Sequence, residues 1–357
     1  MNNFCRYLSN GHRFLLNYDN NISYGPCCYY NKPLNDLTKI QDYRNELDTV
    51  NDWTNNCSLC QTAEEVNGVS GRTRSFKDIE NDTDLFLDLQ LDMTCNGGCV
   101  ICGPHFSTFW QQQKRKFDIH SFNESKIRLE DNHLDTIKSI ANIQKCTRIN
   151  FSGGDTMLMK LDIELLNEIK DKSKLNLQYA TNGSNWPGEE RINLWKQCKS
   201  VNVALSIDGV ESQFEYIRYP LVWKEVEENI QRMKQTLPDN VIFRIGHTTT
   251  PMSILYSDRM FNWVNKNISH NRLGVETKIN FHGATGVWNM NSLSEELRTI
   301  VINKYGPESV VSKVASRSQY NERSHIELLN FTNKWDKHRN LYWQEIFPEV
   351  VHYLDRP

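Results

Sequence analysis

The chain contains 357 residues, of which 38% are hydrophobic and 24% are charged, and its formal net charge is −3. These proportions are typical of a folded protein, and the nearly balanced charge does not predict a broad surface for nucleic acids. No stretch approaches the roughly 20 apolar residues that a membrane-spanning helix needs, and the first residues lack the pattern of a secretory signal. We therefore expect a cytoplasmic protein without membrane contact, in which clustered cysteines indicate metal or redox chemistry rather than disulfides.

The predicted elements begin irregularly and then alternate. Residues 1–80 show no strand–helix alternation and are rich in Asn, Asp, Gly and Cys, so we predict a small module that needs a metal to be stable. From residue 85 onwards, strands predicted by their alternating apolar residues are each followed by a helix with apolar residues three and four positions apart. The six strands are predicted at about 85–91, 148–151, 175–179, 201–207, 241–245 and 276–281. Residues 286–357 carry helical patterns around 295–301 and 340–346.

Six successive β-then-α units predict parallel strands joined by right-handed crossovers. A doubly wound sheet and an incomplete βα barrel both satisfy this pattern. In either fold, reactive groups belong on the loops that leave the carboxyl ends of the strands.

Cys95, Cys99 and Cys102 follow the first of these strands with the spacing C-x3-C-x2-C. Thiolates are the usual ligands of iron–sulfur clusters, and the absence of a fourth cysteine from this loop would leave one iron open to a substrate or cofactor. Gly97 and Gly98 allow the chain to turn tightly around such a cluster. The spacing alone leaves a zinc site open as an alternative, with a distant fourth ligand such as His105.

Each later strand also ends in residues suited to hold a nucleoside-like amino acid. These residues are Gly153, Gly154 and Asp155 after the second strand, Asn182 after the third, Ser206, Asp208 and Arg218 after the fourth, His247 after the fifth and His282 after the sixth. Any one of them is compatible with an ordinary turn or helix cap. Their recurrence at the same end of successive strands predicts a binding site, in which Arg218 is suited to a carboxylate.

Residues 85–285 resemble the catalytic core of the radical S-adenosylmethionine (SAM) superfamily, whose fold is a partial βα barrel. The cysteine motif of that family matches Cys95, Cys99 and Cys102. Its Gly-Gly-Glu motif, which holds the methionine ammonium group, matches residues 153–155 with Asp in place of Glu. Ser206 and Arg218 match residues that hold the methionine carboxylate, and Ile101 stands where an aromatic residue often packs against the adenine.

The resemblance implies a partial (β/α)6 TIM-like barrel at residues 81–285, between a cysteine-rich module at 1–80 and a helical extension at 286–357. It also implies a 4Fe–4S cluster and SAM as cofactors, with Asn182, Asp208 and His247 completing the SAM site. Reductive cleavage of SAM would give a 5′-deoxyadenosyl radical that removes a hydrogen atom from the substrate. A flavodoxin- or ferredoxin-like protein would supply the electron.

A second group of cysteines comprises Cys5, Cys27, Cys28, Cys57 and Cys60. These suit a tetrahedral zinc ion and a second iron–sulfur cluster equally well. Their layout resembles the twitch module, half of the longer SPASM module, which usually follows the barrel and here precedes it. The resemblance implies a second 4Fe–4S cluster on Cys5, Cys57, Cys60 and one of the neighbouring pair, for which we choose Cys27.

An auxiliary-cluster module of this kind is often associated with modification of peptides, so a peptide or protein is our first substrate hypothesis. A nucleotide, nucleoside or sugar is the alternative within the same chemistry, and a non-catalytic zinc-stapled binding protein is the alternative outside it. Cys146, Cys198, Trp288, Trp335 and Trp343 are predicted to be packing residues. Trp110 and the polar run at 111–116 are predicted to form a solvated helix face.

Overall fold

The computed structural model describes residues 5–17, 21–48, 55–67, 70–79, 81, 83–113, 132–270, 274–317 and 319–354. The strands in these ranges are β1 (Gly11–Leu16), β2 (Ile22–Gly25), β3 (Leu85–Asp92), β4 (Cys146–Gly153), β5 (Asn176–Thr181), β6 (Ser200–Ser206), β7 (Val241–Thr249) and β8 (Lys278–Gly283). The first eight helices are α1 (Arg6–Asn10), α2 (Ile40–Asp48), α3 (Ser58–Asn67), α4 (Gly71–Asp78), α5 (Thr108–Gln113), α6 (Asn132–Ile140), α7 (Leu161–Glu168) and α8 (Glu189–Trp195). The remaining eight are α9 (Glu211–Ile217), α10 (Trp223–Thr236), α11 (Ser257–Asn267), α12 (Glu295–Tyr305), α13 (Val310–Ser316), α14 (Glu322–Arg339), α15 (Trp343–Ile346) and α16 (Pro348–Leu354).

The strands form an eight-stranded sheet in the order β2-β1-β3-β4-β5-β6-β7-β8. β1 is parallel to β3, β3 to β4, β4 to β5 and β7 to β8, whereas β2 is antiparallel to β1. The predicted α/β class with a mostly parallel sheet is therefore confirmed. β1 and β2 are additions to the prediction, because no strands were predicted within residues 1–80. None of the helices in the described ranges is long and apolar enough to cross a bilayer.

The chain divides into two compact units. The first comprises Met1–Thr94, Asn123–Ala180 and Pro187–Asn202, and the second comprises Cys95–Phe122, Thr181–Trp186 and Val203–Pro357. Both units are built from several segments, so the chain passes repeatedly from one to the other.

The core of the first unit lies on one face of the sheet. The side chains that alternate inward along β3, β4 and β5 are at most 2% exposed, and they are Leu87, Leu89, Ile149, Phe151, Leu177 and Tyr179. α7 and α8 are joined by a buried ion pair, in which Arg191 Nε donates to Asp162 Oδ2 at 2.6 Å and Arg191 Nη2 donates to Asp162 Oδ1 at 2.9 Å. Cys146 and Cys198 are buried, as predicted.

The core of the second unit includes much of the C-terminal region. Trp288, Trp335 and Trp343 are buried, which confirms their prediction as packing residues. Asp336 on α14 fixes two neighbours, because its carboxylate accepts hydrogen bonds from Tyr216 Oη and from the Trp343 backbone N, each at 2.8 Å. Trp110 is also buried, at 1% exposure, so its prediction as part of a solvated helix face is wrong. Residues 114–116 of that predicted face lie outside the described residues.

Candidate functional site

Residues 95–102, here called the cysteine loop, follow β3 directly. Two backbone hydrogen bonds attach the loop to the segment after α9: Gly98 N donates to Tyr219 O at 2.6 Å, and Val100 N donates to Ile217 O at 2.8 Å. At the other side, Ser107 Oγ donates to Gly97 O at 2.6 Å. These contacts fix the loop backbone independently of any ligand.

Two of the three thiols of the loop lie close to Gly97. A Cβ atom at this position would lie 3.3 Å from Cys99 Sγ and 3.7 Å from Cys95 Sγ, so glycine leaves the space between the two thiols free. The Cys102 thiol is instead 3.7 Å from the Gly103 carbonyl oxygen. As they stand, no three His, Cys, Asp or Glu side chains within the described ranges form a group that could hold a metal ion. The Cys102 thiol is nevertheless close to the other two, because Cys99 and Cys95 add to the effect of burial in raising its pKa.

Burial favours the protonated form of the Cys99 and Cys102 thiols. It raises the pKa of Cys102 to about 12, and it also raises the pKa of Cys99. Arg218 opposes this effect, since its Nη1 lies 3.8 Å from Cys99 Sγ and its charge favours the thiolate. Thiolates are the form that binds iron, so the arginine lowers the cost of ligation.

Asp208, Arg218 and His247 lie together near the carboxyl ends of β6 and β7. Arg218 Nη2 is 2.6 Å from Asp208 Oδ2, and Asp208 Oδ1 accepts a hydrogen bond from Thr248 N at 2.7 Å. His247 Nδ1 is 2.8 Å from Ile207 O. The buried atoms Arg218 Nε and His247 Nε2 have no hydrogen-bond partner among the described residues. Two polar atoms of this group are thus available to a ligand.

Asn182 contacts the cysteine loop itself. Its Nδ2 donates to Asn96 Oδ1 at 2.9 Å, and Asn96 Nδ2 donates to Ser184 Oγ at 2.9 Å. Asn182 was predicted from the sequence, whereas its contact with Asn96 and the Asn96–Ser184 hydrogen bond were not. Ser206 lies at the end of β6 and Ile101 within the cysteine loop, and both are half-buried.

Gly153, Gly154 and Asp155 form a tight turn at the end of β4 in the first unit. Gly153 has a φ of +130°, and a Cβ at Gly154 would lie 2.1 Å from Thr94 O. Asp155 N donates to Thr94 O at 2.7 Å. The Asp155 carboxylate is almost fully buried and accepts a hydrogen bond from Met157 N at 2.9 Å. Both glycines are required by this close approach, while the carboxylate caps the following turn.

Three of the N-terminal cysteines lie near one another. The pKa of Cys27 is raised first by burial and then by the proximity of Cys28, Cys5 and Cys60. The pKa of Cys5 is raised to about 11, mainly by burial and to a smaller extent by the nearby Cys60. Cys28 is exposed at the surface; partial burial of its thiol and then the charge of Asp88 raise its pKa to about 11, and Arg13 opposes this shift. Cys57 is half-buried and lies near Tyr30, whose pKa it helps to raise after burial.

Two features of the loop environment were not predicted. Trp110 Nε1 donates to Cys99 O at 2.9 Å, and Arg339 Nη2 donates to Gly98 O at 2.8 Å. Arg339 lies more than two hundred residues from the loop in sequence, so no local pattern could have identified it.

Comparisons with known proteins give one family match and several distant structural matches. Residues 93–253 match the family model described as the Radical SAM superfamily. No curated protein matches the chain. A solved structure of anSMEcpe with bound AdoMet has a TM-score of 0.43 and 17% identity, and the match covers 62% of this chain and 58% of that one. Streptococcus suis SuiB bound to S-adenosylmethionine has a TM-score of 0.40 and 10% identity, with coverage of 85% and 59%. SuiB bound to the precursor peptide SuiA has a TM-score of 0.40 and 13% identity, with coverage of 88% and 63%.

The chain thus spans about three fifths of the length of these solved structures. The matched segment begins just before the cysteine loop and ends after β7, so it contains each strand-end residue from Gly153 to His247. Residues 93–253 are therefore a radical SAM superfamily domain.

Proposed function

We propose that this protein uses a 4Fe–4S cluster on Cys95, Cys99 and Cys102, together with SAM, to remove a hydrogen atom from a peptide or protein. The observation that carries the proposal is the cysteine loop. It presents three thiols from a fixed backbone within the radical SAM domain, and Gly97 leaves space between two of them.

The residues present fit an anionic cluster. Three cysteines supply thiolate ligands, and the guanidinium group of Arg218 lies beside Cys99 to offset their negative charge. The chemistry that the bound cluster and SAM supply is one-electron cleavage of the sulfonium, which gives a 5′-deoxyadenosyl radical. The protein residues orient the cofactor and exclude competing reactants.

The strand-end residues have distinct proposed roles toward SAM. Gly153, Gly154 and Asp155 are proposed for the methionine ammonium group, with the glycines exposing backbone carbonyl oxygens. Ser206 and Arg218 Nε are proposed for the carboxylate, since this nitrogen has no other partner among the described residues. The remaining contacts are assigned to Ile101, Asn182, Asp208 and His247.

The substrate proposal is supported by a polar row across the sheet of the first unit. Arg13, Asp88, Asn150 and Gln178 are register partners on β1, β3, β4 and β5, opposite the apolar core face. Gln178 Oε1 accepts from Arg148 Nη2 at 3.3 Å.

Two amide oxygens, Asn150 Oδ1 on β4 and Asn202 Oδ1 on β6, are buried without a hydrogen-bond partner in the described part of the chain. Buried polar atoms require partners, and amide groups of a peptide supply both donors and acceptors. A nucleotide, nucleoside or sugar also supplies them and is the second candidate.

A second 4Fe–4S cluster is proposed on Cys5, Cys27, Cys57 and Cys60. The mutual proximity of Cys5, Cys27 and Cys60 supports this set. Cys27 is chosen over Cys28 as the fourth ligand because Cys28 is exposed and lies near Asp88 and Arg13. Zinc at the same residues is the alternative. We further propose that a flavodoxin- or ferredoxin-like donor in the cytoplasm supplies the electron.

The test measures iron per chain and 5′-deoxyadenosine formation in protein reconstituted without oxygen. We expect about eight irons per chain. The triple variant C95A/C99A/C102A should retain about four irons and form no 5′-deoxyadenosine. About four irons together with zinc would make the N-terminal site structural. Absence of both iron and cleavage would overturn the proposal in favour of a zinc-stapled binding protein.

The substrate class is tested by deuterium transfer. Peptide, nucleotide and sugar fractions from cells grown in deuterated medium are offered separately to the reduced enzyme with unlabelled SAM. Because the radical takes its hydrogen from the substrate, deuterium enters 5′-deoxyadenosine only with the correct fraction. We expect transfer from the peptide fraction, and transfer only from another fraction would contradict the peptide assignment.

A further inference from the structure

Arg339, the last residue of α14, brings a positive charge from the C-terminal region to the cysteine loop. Its Nη2 donates to Gly98 O at 2.8 Å. The residue lies outside the segment that matches the radical SAM superfamily, and the proposed roles above do not use it.

The guanidinium group is held in place by aromatic rings. Its central carbon lies 3.2 Å from the ring centroid of Trp335 and 4.0 Å from that of Tyr219, and it is 5.8 Å from that of Trp110. Trp110 is itself bonded to Cys99 O through its ring nitrogen. Aromatic faces attract a guanidinium ion, and the attraction is larger when the ion is removed from water. The rings therefore fix the position of the cation relative to the loop.

The cysteine loop has space for this cation because residue 98 is glycine. A Cβ at Gly98 would lie 2.9 Å from Arg339 Nη2 and 2.7 Å from the Phe109 ring. The helix ends at Arg339, which places the arginine side chain beside the loop. The next residue, Asn340, adopts the left-handed conformation, and its N–H donates to Asp336 O. Loop and helix end are thus matched to each other.

Placing this cation inside the protein carries a cost. Burial lowers the pKa of Arg339 to about 9, and the neighbouring Tyr219 and Cys99 oppose that shift. The Asp336 carboxylate, one turn earlier on α14, already accepts hydrogen bonds from Tyr216 and Trp343. A buried cation whose charge acts on Cys99 is an arrangement suited to a negatively charged group in the loop.

We propose that Arg339 is a positioning residue that sets the reduction potential of the cluster on Cys95, Cys99 and Cys102, an inference that rests on the proposed function. Reduction adds one negative charge to the cluster. A fixed cation at the loop stabilises the reduced form more than the oxidised form and so raises the potential. Arg339 also ties the C-terminal helix to the loop backbone.

The experiment compares wild-type protein with R339Q and R339K by redox titration of the reduced-cluster EPR signal, with iron per chain measured in parallel. R339Q removes the charge and keeps a hydrogen-bond donor, so its potential should become more negative while its iron content stays unchanged. R339K keeps the charge and should return the potential towards the wild-type value. R259Q is the matched control, because Arg259 also stacks on a ring, that of Tyr256 at 4.9 Å, and has an exposed ion pair with Glu349.

The outcomes separate this inference from the proposed function. Equal potentials for iron-loaded R339Q and the wild type would overturn the inference and leave the function intact. Should R339Q fail to fold or to load iron, R339K decides: a wild-type potential supports the role of the charge, and a shifted potential overturns it. Wild-type protein without any iron would overturn both proposals.

Discussion

Gly97 and Gly103 lie close together in sequence but differ in the space around their Cα atoms. A Cβ at Gly97 would be 3.3 Å from Cys99 Sγ, whereas a Cβ at Gly103 would have no atom within 4 Å. We expect Gly97→Ala to bind less iron per chain than the wild type, because the added methyl group occupies the space between two ligand thiols. The measurement is iron content after anaerobic reconstitution.

Gly103→Ala is the control for this prediction. Both substitutions reduce the freedom of the unfolded chain to a similar extent, so they differ mainly in the native loop. Gly103→Ala should bind as much iron as the wild type. Equal loading of the two variants would show that the space at Gly97 does not matter for ligation.

His12 on β1 makes stability depend on pH. Its ring is buried, and Tyr24 Oη lies 2.8 Å from its Nδ1. Burial, with a smaller contribution from Arg44, lowers the pKa of His12 from 6.5 to about 3. Between these values the unfolded chain binds the proton and the folded chain does not, so stability falls as the pH falls from 6.5 towards 3.

The predicted size follows from the linkage relation. Between about pH 7 and about pH 5, the wild type should lose about 2 kcal/mol more of its free energy of unfolding than His12→Gln, which has no titrating ring. Urea unfolding at the two pH values measures the difference. Parallel losses in the two proteins would mean that His12 is protonated while the protein is folded.

Single residues also show where sequence reasoning was limited. The Cys95–Cys102 spacing and the strand-end polar residues could be identified because their signal is local. Trp110 was assigned to a solvated face because its neighbours in sequence are polar. The Trp110 ring is buried because it donates to Cys99 O and packs against the Trp335 ring. Trp335 lies more than two hundred residues away in sequence, so the local pattern could not indicate it.

At the scale of elements, α7 and α8 depend on Arg191. Besides Asp162, its guanidinium donates to the carbonyl oxygens of Met157, Met159 and Pro187, and the Arg191 and Asp162 side chains are 3% and 0% exposed. Arg191→Met leaves the Asp162 charge buried without its partner. We expect it to lower the free energy of unfolding by about 3–5 kcal/mol, measured by urea unfolding followed by circular dichroism.

The double variant R191M/D162L tests the stated cause. Replacing a buried ion pair by apolar residues of similar size is often close to neutral, because no unpaired charge is left. The double variant should therefore be more stable than R191M alone. If it were only as stable as R191M, the cost would arise from the carbonyl oxygens that Arg191 also satisfies rather than from the unpaired charge.

Prediction of elements succeeded where pairing follows chain order. β3 to β8 are successive in both the sequence and the sheet, so alternation of apolar residues and the rule for crossovers were sufficient. β1 and β2 were missed. β1 pairs with β3, which begins almost seventy residues later, and such a pairing leaves no local signal. Because residues 1–80 are rich in cysteines, they were interpreted as a metal-binding module, and no strands were predicted there.

At the scale of the whole molecule, the chain path links the two units. The boundaries between Ala180 and Thr181 and between Asn202 and Val203 fall inside β5 and β6, so each of these strands contributes residues to both units. A strand cannot easily remain ordered in one half when the hydrogen-bonded ladder of the other half is lost. We therefore expect the two units to unfold in one cooperative transition.

This expectation is testable because tryptophan is unevenly distributed. Seven of the nine tryptophans fall within the residue ranges of the second unit, so tryptophan fluorescence reports mainly on that unit, whereas far-UV circular dichroism reports on both. R191M weakens a contact that lies wholly within the first unit. Under cooperative unfolding, this substitution should move the fluorescence midpoint in urea as far as the circular dichroism midpoint. A fluorescence midpoint that stays at the wild-type value, with two steps in the circular dichroism curve, would instead show that the second unit folds independently of the first.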